Sequence, residues 1–212
     1  MESVMTKIKI CGIKNENDIS IINEFLPEYA GFVFYEKSKR NISVDTAEKL
    51  ISVLDERIIP VAVTVSPDSL LVSQLERAGF KRIQIHGDLG SGVFDDINIP
   101  IWRAINIGPG NEDALSGITA DEKTEGYLLD GAVPGSGRPF NWRKSRRLLK
   151  AGVNSPPLFI LAGGLDTSNV LSGIEEFSPD VVDVSSSIEG QNGKDKDLVR
   201  RFITTVRGKK DE

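Results

Sequence analysis

The sequence predicts an α/β fold, a (β/α)8 barrel, from three observations. Short runs rich in valine and isoleucine recur along the chain, each is followed by an amphipathic stretch, and eight such pairs can be drawn. Apolar runs of this kind suit parallel strands buried on both faces, and the amphipathic stretches suit the helices that cover them. A doubly wound open sheet of about six strands is the competing architecture. Eight units favour closure into a TIM barrel, with residues 1–212 as one domain. Such barrels usually take roughly 250 residues, so the helices and connections here must be trimmed.

The first strand is expected at Lys7–Cys11, with a helix near Asn17–Phe25. The second, Ala30–Phe34, leads to a helix near Val44–Leu54 that Ser43 can cap. The third, Ile59–Val65, leads to a helix near Pro67–Ala78, with Ser66 before a proline suited to a first helical turn. Arg82–His86 and Ile101–Ile105 follow, with short helices near Gly92–Ile97 and Glu112–Ser116. The sixth strand, Tyr127–Asp130, precedes a helix near Trp142–Ala151. The seventh, Leu158–Ala162, precedes one near Ser168–Glu175 that Asp166 or Thr167 can cap. The eighth, Val181–Val184, precedes Asp197–Arg207, and the polar residues from Arg207 to Glu212 are expected to fray.

The composition, 39% hydrophobic and 27% charged, fits one domain with a substantial core. A formal net charge of -5 argues against a nucleic-acid surface, which usually gathers basic residues. One cysteine allows no intramolecular disulfide, and one histidine allows no zinc-like Cys/His cluster. The N-terminal stretch lacks the apolar segment of a signal peptide, and no run of about 18 apolar residues is present. A cytoplasmic protein is expected, monomeric or homodimeric, with neither a membrane nor a nucleic acid as partner.

In a barrel of this kind, function gathers where strands end and the following loops begin. That edge offers Cys11, the loop from Phe34 to Arg40, Val65, His86, Arg103, Asp130, Gly163–Gly164 and Ser185–Ser186. A thiol titrates near pH 8.5, so modest positive potential would make Cys11 a workable base or nucleophile; otherwise it packs as an inert small hydrophobe. Asp130 ends an apolar run whose burial would keep its proton available for donation, the alternative being a turn cap. Gly135 to Arg138 form a loop able to fold over a substrate, and Gly137 belongs to it. Gly163 and Gly164 after the seventh strand and Ser185 and Ser186 after the eighth are where barrels often bind phosphate, because small residues let backbone N–H groups approach. His86, the one histidine, suits an orienting or structural role. Arg40 is the cation best placed to reach reacting groups, or else a solvated surface charge. Arg103, inside a strand, needs a partner if buried, and the sequence assigns it no role.

These residues carry a resemblance. The order Lys9-Ile10-Cys11-Gly12-Ile13, Gly31-Phe32-Val33-Phe34, Ser38-Lys39-Arg40, Gln84-Ile85-His86-Gly87, Leu129-Asp130, Gly135-Ser136-Gly137, Phe140-Asn141-Trp142, Leu161-Ala162-Gly163-Gly164-Leu165 and Val182-Asp183-Val184-Ser185-Ser186 resembles phosphoribosylanthranilate isomerase across nearly the whole chain. The resemblance implies a cofactor-free Amadori rearrangement of a phosphosugar, N-(5-phosphoribosyl)anthranilate, in tryptophan biosynthesis. It implies Cys11 as general base, Asp130 as general acid and Arg40 as a positioning or electrostatic aid, with no metal.

Four positions depart from the family pattern. Lys39 stands where proline is usual, which should soften that loop. Ser187 replaces a glycine, which should disturb any backbone conformation that needs one. Thr64 replaces a common aromatic, and Leu89 replaces an acidic residue. The competing activities are another phosphosugar barrel, such as indoleglycerol-phosphate synthase, and a catalytically silent binding protein. The first is disfavoured because lysine and glutamate would be expected at the strand ends, and the second because Cys11 and Asp130 are both present.

Overall fold

Eight strands hydrogen-bond in chain order and the ring closes between the first and the last, which excludes the open sheet. The computed structural model describes residues 5–107, 123–131 and 158–208. The strands are β1 (Lys7–Cys11), β2 (Tyr29–Phe34), β3 (Ile59–Val65), β4 (Arg82–His86), β5 (Ile101–Ile107), β6 (Thr124–Gly131), β7 (Leu158–Leu161) and β8 (Val181–Val184). Every neighbouring pair is parallel. The described helices are α1 (Glu16–Phe25), α2 (Val44–Ile51), α3 (Ser69–Arg77), α4 (Ser91–Asp96), α5 (Val170–Phe177) and α6 (Lys196–Arg207), with a 3-10 turn at Ser186–Ile188. The helices expected at Glu112–Ser116 and Trp142–Ala151 lie outside the described residues.

Period-two alternation sorts the strand side chains into two cores. Tyr29, Val61, Trp102, Leu128, Ile160, Ala162 and Val181 cluster together inside the ring. The alternate residues, among them Ile8, Ile10, Ala30, Phe32, Ile83, Ile85 and Val182, join the helix side chains Ile19, Ile22, Leu50, Leu75, Val170 and Phe202 outside it. The inward faces also carry charge that an apolar pattern would not suggest: Lys9, between Lys7 and Cys11 on β1, is wholly buried and pairs with Asp183 of β8.

Strands β5 and β6 are longer than their apolar runs. Their ladder continues from Ile101 opposite Thr124 to Ile107 opposite Gly131, so polar residues extend it at both ends. Glu125 enters β6 because Arg82 donates to its carboxylate at 2.6 and 2.8 Å and Trp102 Nε1 at 2.8 Å.

Helix starts follow the capping rules, with one correction. Ser43 accepts from Thr46 N and caps α2 as expected. Helix α3 is capped by Asp68, which accepts from Leu71 N, and not begun at Ser66–Pro67. Ser66 instead has φ +45° and its hydroxyl accepts from Asp88 N, so it fixes the β4 end loop. Ahead of α5, Asp166 accepts from the amides of Ser168 and Asn169, one turn earlier than the helix itself. Arg207, expected to begin a frayed tail, is the last residue of α6 and donates to Phe25 O and Leu26 O at 3.0 and 2.7 Å.

Candidate active site

The ends of the strands open into a cavity of about 640 Å³. Cys11, Arg40, His86, Asp130, Gly163, Gly164, Ser185 and Ser186, separated by up to 175 residues in the sequence, all line it. Gly137 lies outside the described residues. Val33, Val63, Val65, Leu128 and Ala162 give the cavity apolar wall.

Cys11 closes β1 and is 9% exposed, with its neighbour Gly12 at φ +88°. A Cβ on Gly12 would collide with the Arg40 side chain, so glycine there lets the guanidinium lie against the end of β1. Burial holds the thiol above its ordinary value; the charges of Lys9 and Lys194 work against that shift and the charge of Asp183 adds to it. The backbone of the same residue is tied to β8, because Ser185 Oγ donates to Cys11 O at 2.9 Å.

Lys9 lies two residues before Cys11 and therefore faces inward with it. Both oxygens of Asp183 accept from its Nζ at 2.9 Å. Burial alone would lower Lys9, but Asp183 and Cys11 hold it above the ordinary lysine value, while burial raises the Asp183 carboxyl against the pull of Lys9. A second buried lysine, Lys194, donates to Ser185 O at 3.1 Å and to Glu189 Oε1 at 3.3 Å. Its own backbone is fixed by Asp18, which accepts from Lys194 N at 2.6 Å and from Lys14 N at 3.0 Å.

Glu189 gathers the remaining cations. Arg40 binds it through Nε and, at 3.0 Å, through Nη2, and Lys39 Nζ reaches it at 3.0 Å. The Arg40 side chain is only 12% exposed, so the surface-charge alternative fails. Lys39 does stand at the solvent, 73% exposed.

Asp130 lies one residue before the end of β6, opposite Asn106 of β5 and three strands round the ring from Cys11. His86 ends β4, with Gln84 Nε2 2.8 Å from its Nε2. Burial, then the charges of Lys9 and Arg103, push the imidazole down to about 4, so the ring is neutral at physiological pH. Arg103 Nη2 donates to Gly87 O at 3.0 Å, which anchors the turn after β4. Thr64, where an aromatic is usual, is fully buried and donates to Gln84 O at 3.2 Å.

On the far wall, Gly163 and Gly164 have φ of +84° and +72°. Among the described residues their N–H groups have no backbone acceptor, which leaves them available to an anion. Ser187 is not among the described non-glycine residues with positive φ. It sits in the 3-10 turn and its hydroxyl donates to Leu165 O at 2.6 Å, so the serine ties the β8 turn to the β7 loop instead of disturbing it. Among the described residues, no three His, Cys, Asp or Glu side chains converge as a metal site would require.

Sequence reasoning assigned no role to Lys9, Asp183, Gln84, Lys194 or Glu189. For Lys9, Gln84 and Asp183 the signal is present: each lies two residues before a strand-end residue assigned to the edge, Cys11, His86 and Ser185, on the same inward face. For Lys194 and Glu189 there is none, because both lie in the irregular connection after β8.

The chain matches the family model described as N-(5'phosphoribosyl)anthranilate (PRA) isomerase over residues 8–205. It is 37% identical over 211 residues to the N-(5'-phosphoribosyl)anthranilate isomerase of Clostridium acetobutylicum, covering 96% of this chain and 98% of that protein. The crystal structure of phosphoribosyl anthranilate isomerase from Thermotoga maritima aligns with a TM-score of 0.82 at 30% identity, over 96% of this chain and 100% of that one. A structure of the isomerase in complex with reduced 1-(o-carboxyphenylamino)-1-deoxyribulose 5-phosphate aligns at 0.78 with 29% identity, over 96% and 100% of the two chains.

Proposed function

Since the chain belongs to the N-(5'-phosphoribosyl)anthranilate isomerase family, we propose that it converts N-(5'-phosphoribosyl)anthranilate to 1-(2-carboxyphenylamino)-1-deoxyribulose 5-phosphate with Cys11 as general base and Asp130 as general acid. The observation that carries this reading is that both groups line one cavity together with the glycine pair after β7 and the serine pair after β8. An Amadori rearrangement asks for one acid and one base about a sugar held by its phosphate.

Asp130 gives a proton to the furanose ring oxygen, and the C1–O bond breaks as the anilino nitrogen lone pair forms the iminium. The Cys11 thiolate then removes the proton from C2, and the C–H electrons flow to neutralise the iminium nitrogen, giving an enolamine. Tautomerisation of the enol to the C2 ketone, with a proton delivered to C1, completes the product. Gly163, Gly164, Ser185 and Ser186 hold the phosphate, and Arg40 aids positioning or electrostatic stabilisation. Neutral His86 orients the sugar, and Gly137 is a further substrate-binding residue.

The enzyme needs no cofactor for these steps, because each is a proton transfer between named groups and substrate. We take residues 1–212 to act as one domain, since one closed ring holds every strand from Lys7 to Val184. A monomer or homodimer in the cytoplasm is the setting that fits a single cysteine. The net charge of -5 supports a chain with no nucleic-acid partner. No helix of the described residues is long and apolar enough to cross a membrane.

Freshly generated N-(5'-phosphoribosyl)anthranilate supplied to the purified chain tests the reading, with the fall in anthranilate-type fluorescence as readout. Turnover is the expected result. Tight binding of the reduced product analogue without turnover would convert the reading to a silent binding protein, and neither would point to a different phosphosugar.

A further inference from the structure

Two polar side chains of β1 meet around a residue of β2 that has no side chain. Gly31 on β2 lies opposite Cys11 in the β1–β2 register. A Cβ there would sit 2.9 Å from Cys11 Sγ and 3.1 Å from Lys9 Nζ. Glycine thus leaves open the volume in which the thiol and the ammonium face each other. Two of the three Lys9 N–H groups are taken by Asp183, each bond 2.9 Å long. The Lys9 charge acts on Cys11 as well as on Asp183.

We propose that Lys9 and Asp183 are positioning residues for the isomerisation: Asp183 clamps the buried Lys9 ammonium against Cys11 so that the thiolate forms as the ammonium's second anionic partner. The inference rests on Cys11 being the base. Replacing a buried ion pair by well-packed apolar residues is often neutral or even stabilising, so stability gives no reason to keep one on the inner face of a barrel. A reason is supplied by its neighbour. Without Asp183 a lysine in this position would shed its proton whenever the thiol held one. With Asp183 the ammonium is retained through both protonation states of Cys11 and needs no rearrangement when the thiolate forms.

The charged and titratable groups that face Cys11 come from each neighbouring element. Lys9 stands on its own strand, Asp183 on β8, and Lys194 beyond β8. Arg40, from the loop after β2, is neutralised by Glu189. His86 of β4 is neutral. Gly31 and Val33, the inward residues of β2 nearest the thiol, carry no charge. Lys9 is therefore the cation whose Nζ borders the same space over Gly31 as the sulfur and is fixed in direction by Asp183.

Cys11 is the sole cysteine of the chain, so the pH dependence of iodoacetamide alkylation reports one thiol. Lys9→Met is expected to raise the alkylation midpoint by about one pH unit or more, which means about tenfold less thiolate below the midpoint. The acid limb of the kcat profile is expected to move with it, while KM changes little. The double variant Lys9→Met/Asp183→Asn leaves no lone buried charge to endanger folding, and its midpoint is expected to rise as well, by less. On the unmutated chain, the Lys9 15N ammonium resonance is expected to shift as Cys11 ionises. An unmoved midpoint in either folded variant overturns the proposal, as does an unmoved resonance. Full turnover by Cys11→Ser would instead overturn the base assignment, an outcome the alkylation titration does not depend on.

Discussion

Arg40 and Glu189, 149 residues apart in the chain, form a two-pronged ion pair that joins the loop after β2 to the segment after β8. Lys39 and Lys194 converge on the same carboxylate, one from solvent and one from the interior. The residue that departs from the family's proline is thus a third hand on a shared anion, and the loop it sits in is pinned by charge where a proline would stiffen it covalently.

Glu189 accordingly links stability to acid. Burial would raise its carboxyl, but the Arg40 hydrogen bonds and the Lys194 charge outweigh burial and hold it at about 2. A carboxylate whose pKa is lower in the folded state stabilises fully above its unfolded value, and that contribution fades as pH falls toward the folded one. Glu189→Gln is expected to cost about 1–3 kcal/mol at neutral pH. It should also flatten the loss of stability between about pH 4.5 and 2. Thermal denaturation across that range checks both, and a variant with the wild-type acid limb would contradict the assignment.

His86 is expected to stay neutral through the physiological range. Its folded value of about 4 lies below the ordinary 6.5, so the unfolded chain binds the extra proton first and stability declines as pH drops from 6.5 toward 4. Because the chain has one histidine, a single pair of ring resonances reports it. Ring signals that titrate near pH 6.5 in the folded protein would refute a buried neutral imidazole beside Gln84.

Gly31 is the position where the smallest added side chain should have a visible effect. Gly31→Ala places a methyl group within 3.1 Å of both Cys11 Sγ and Lys9 Nζ. Overpacking of that kind typically costs about 1–3 kcal/mol. Chemical denaturation should reveal a loss in that range, with slower alkylation of Cys11. A variant as stable and as reactive as the parent would mean that the space beneath the thiol is larger than these contacts imply.

How far the sequence could be read depended on what kind of pattern each element carried. Strands β1, β3, β4 and β8 coincide with the expected ranges because their apolar runs end where their hydrogen bonding ends. Strands β5 and β6 run past theirs because backbone pairing does not need apolar side chains: Thr124 opens the ladder opposite Ile101 and Asn106 continues it opposite Asp130. The cavity-lining set was legible from strand ends alone, since a closed parallel barrel collects them on one rim. The charges under that rim were not. A lysine in a strand reads as a solvated residue until closure makes its face an interior, and the partner that makes its burial tolerable, Asp183, is 174 residues away. Ser187 shows the opposite case, in which a loss of glycine looked disruptive but the backbone at that position did not need one.

In the proposed reaction Cys11 and Asp130 divide the proton transfers between them. Steady-state turnover of N-(5'-phosphoribosyl)anthranilate by Cys11→Ser and Asp130→Asn, alongside their affinity for the reduced product analogue, tests it most directly. Each variant should lose about 10²–10⁴ in kcat while still binding the analogue. Turnover that survives either substitution at close to the wild-type rate would contradict the assignment of that residue and with it the division of labour.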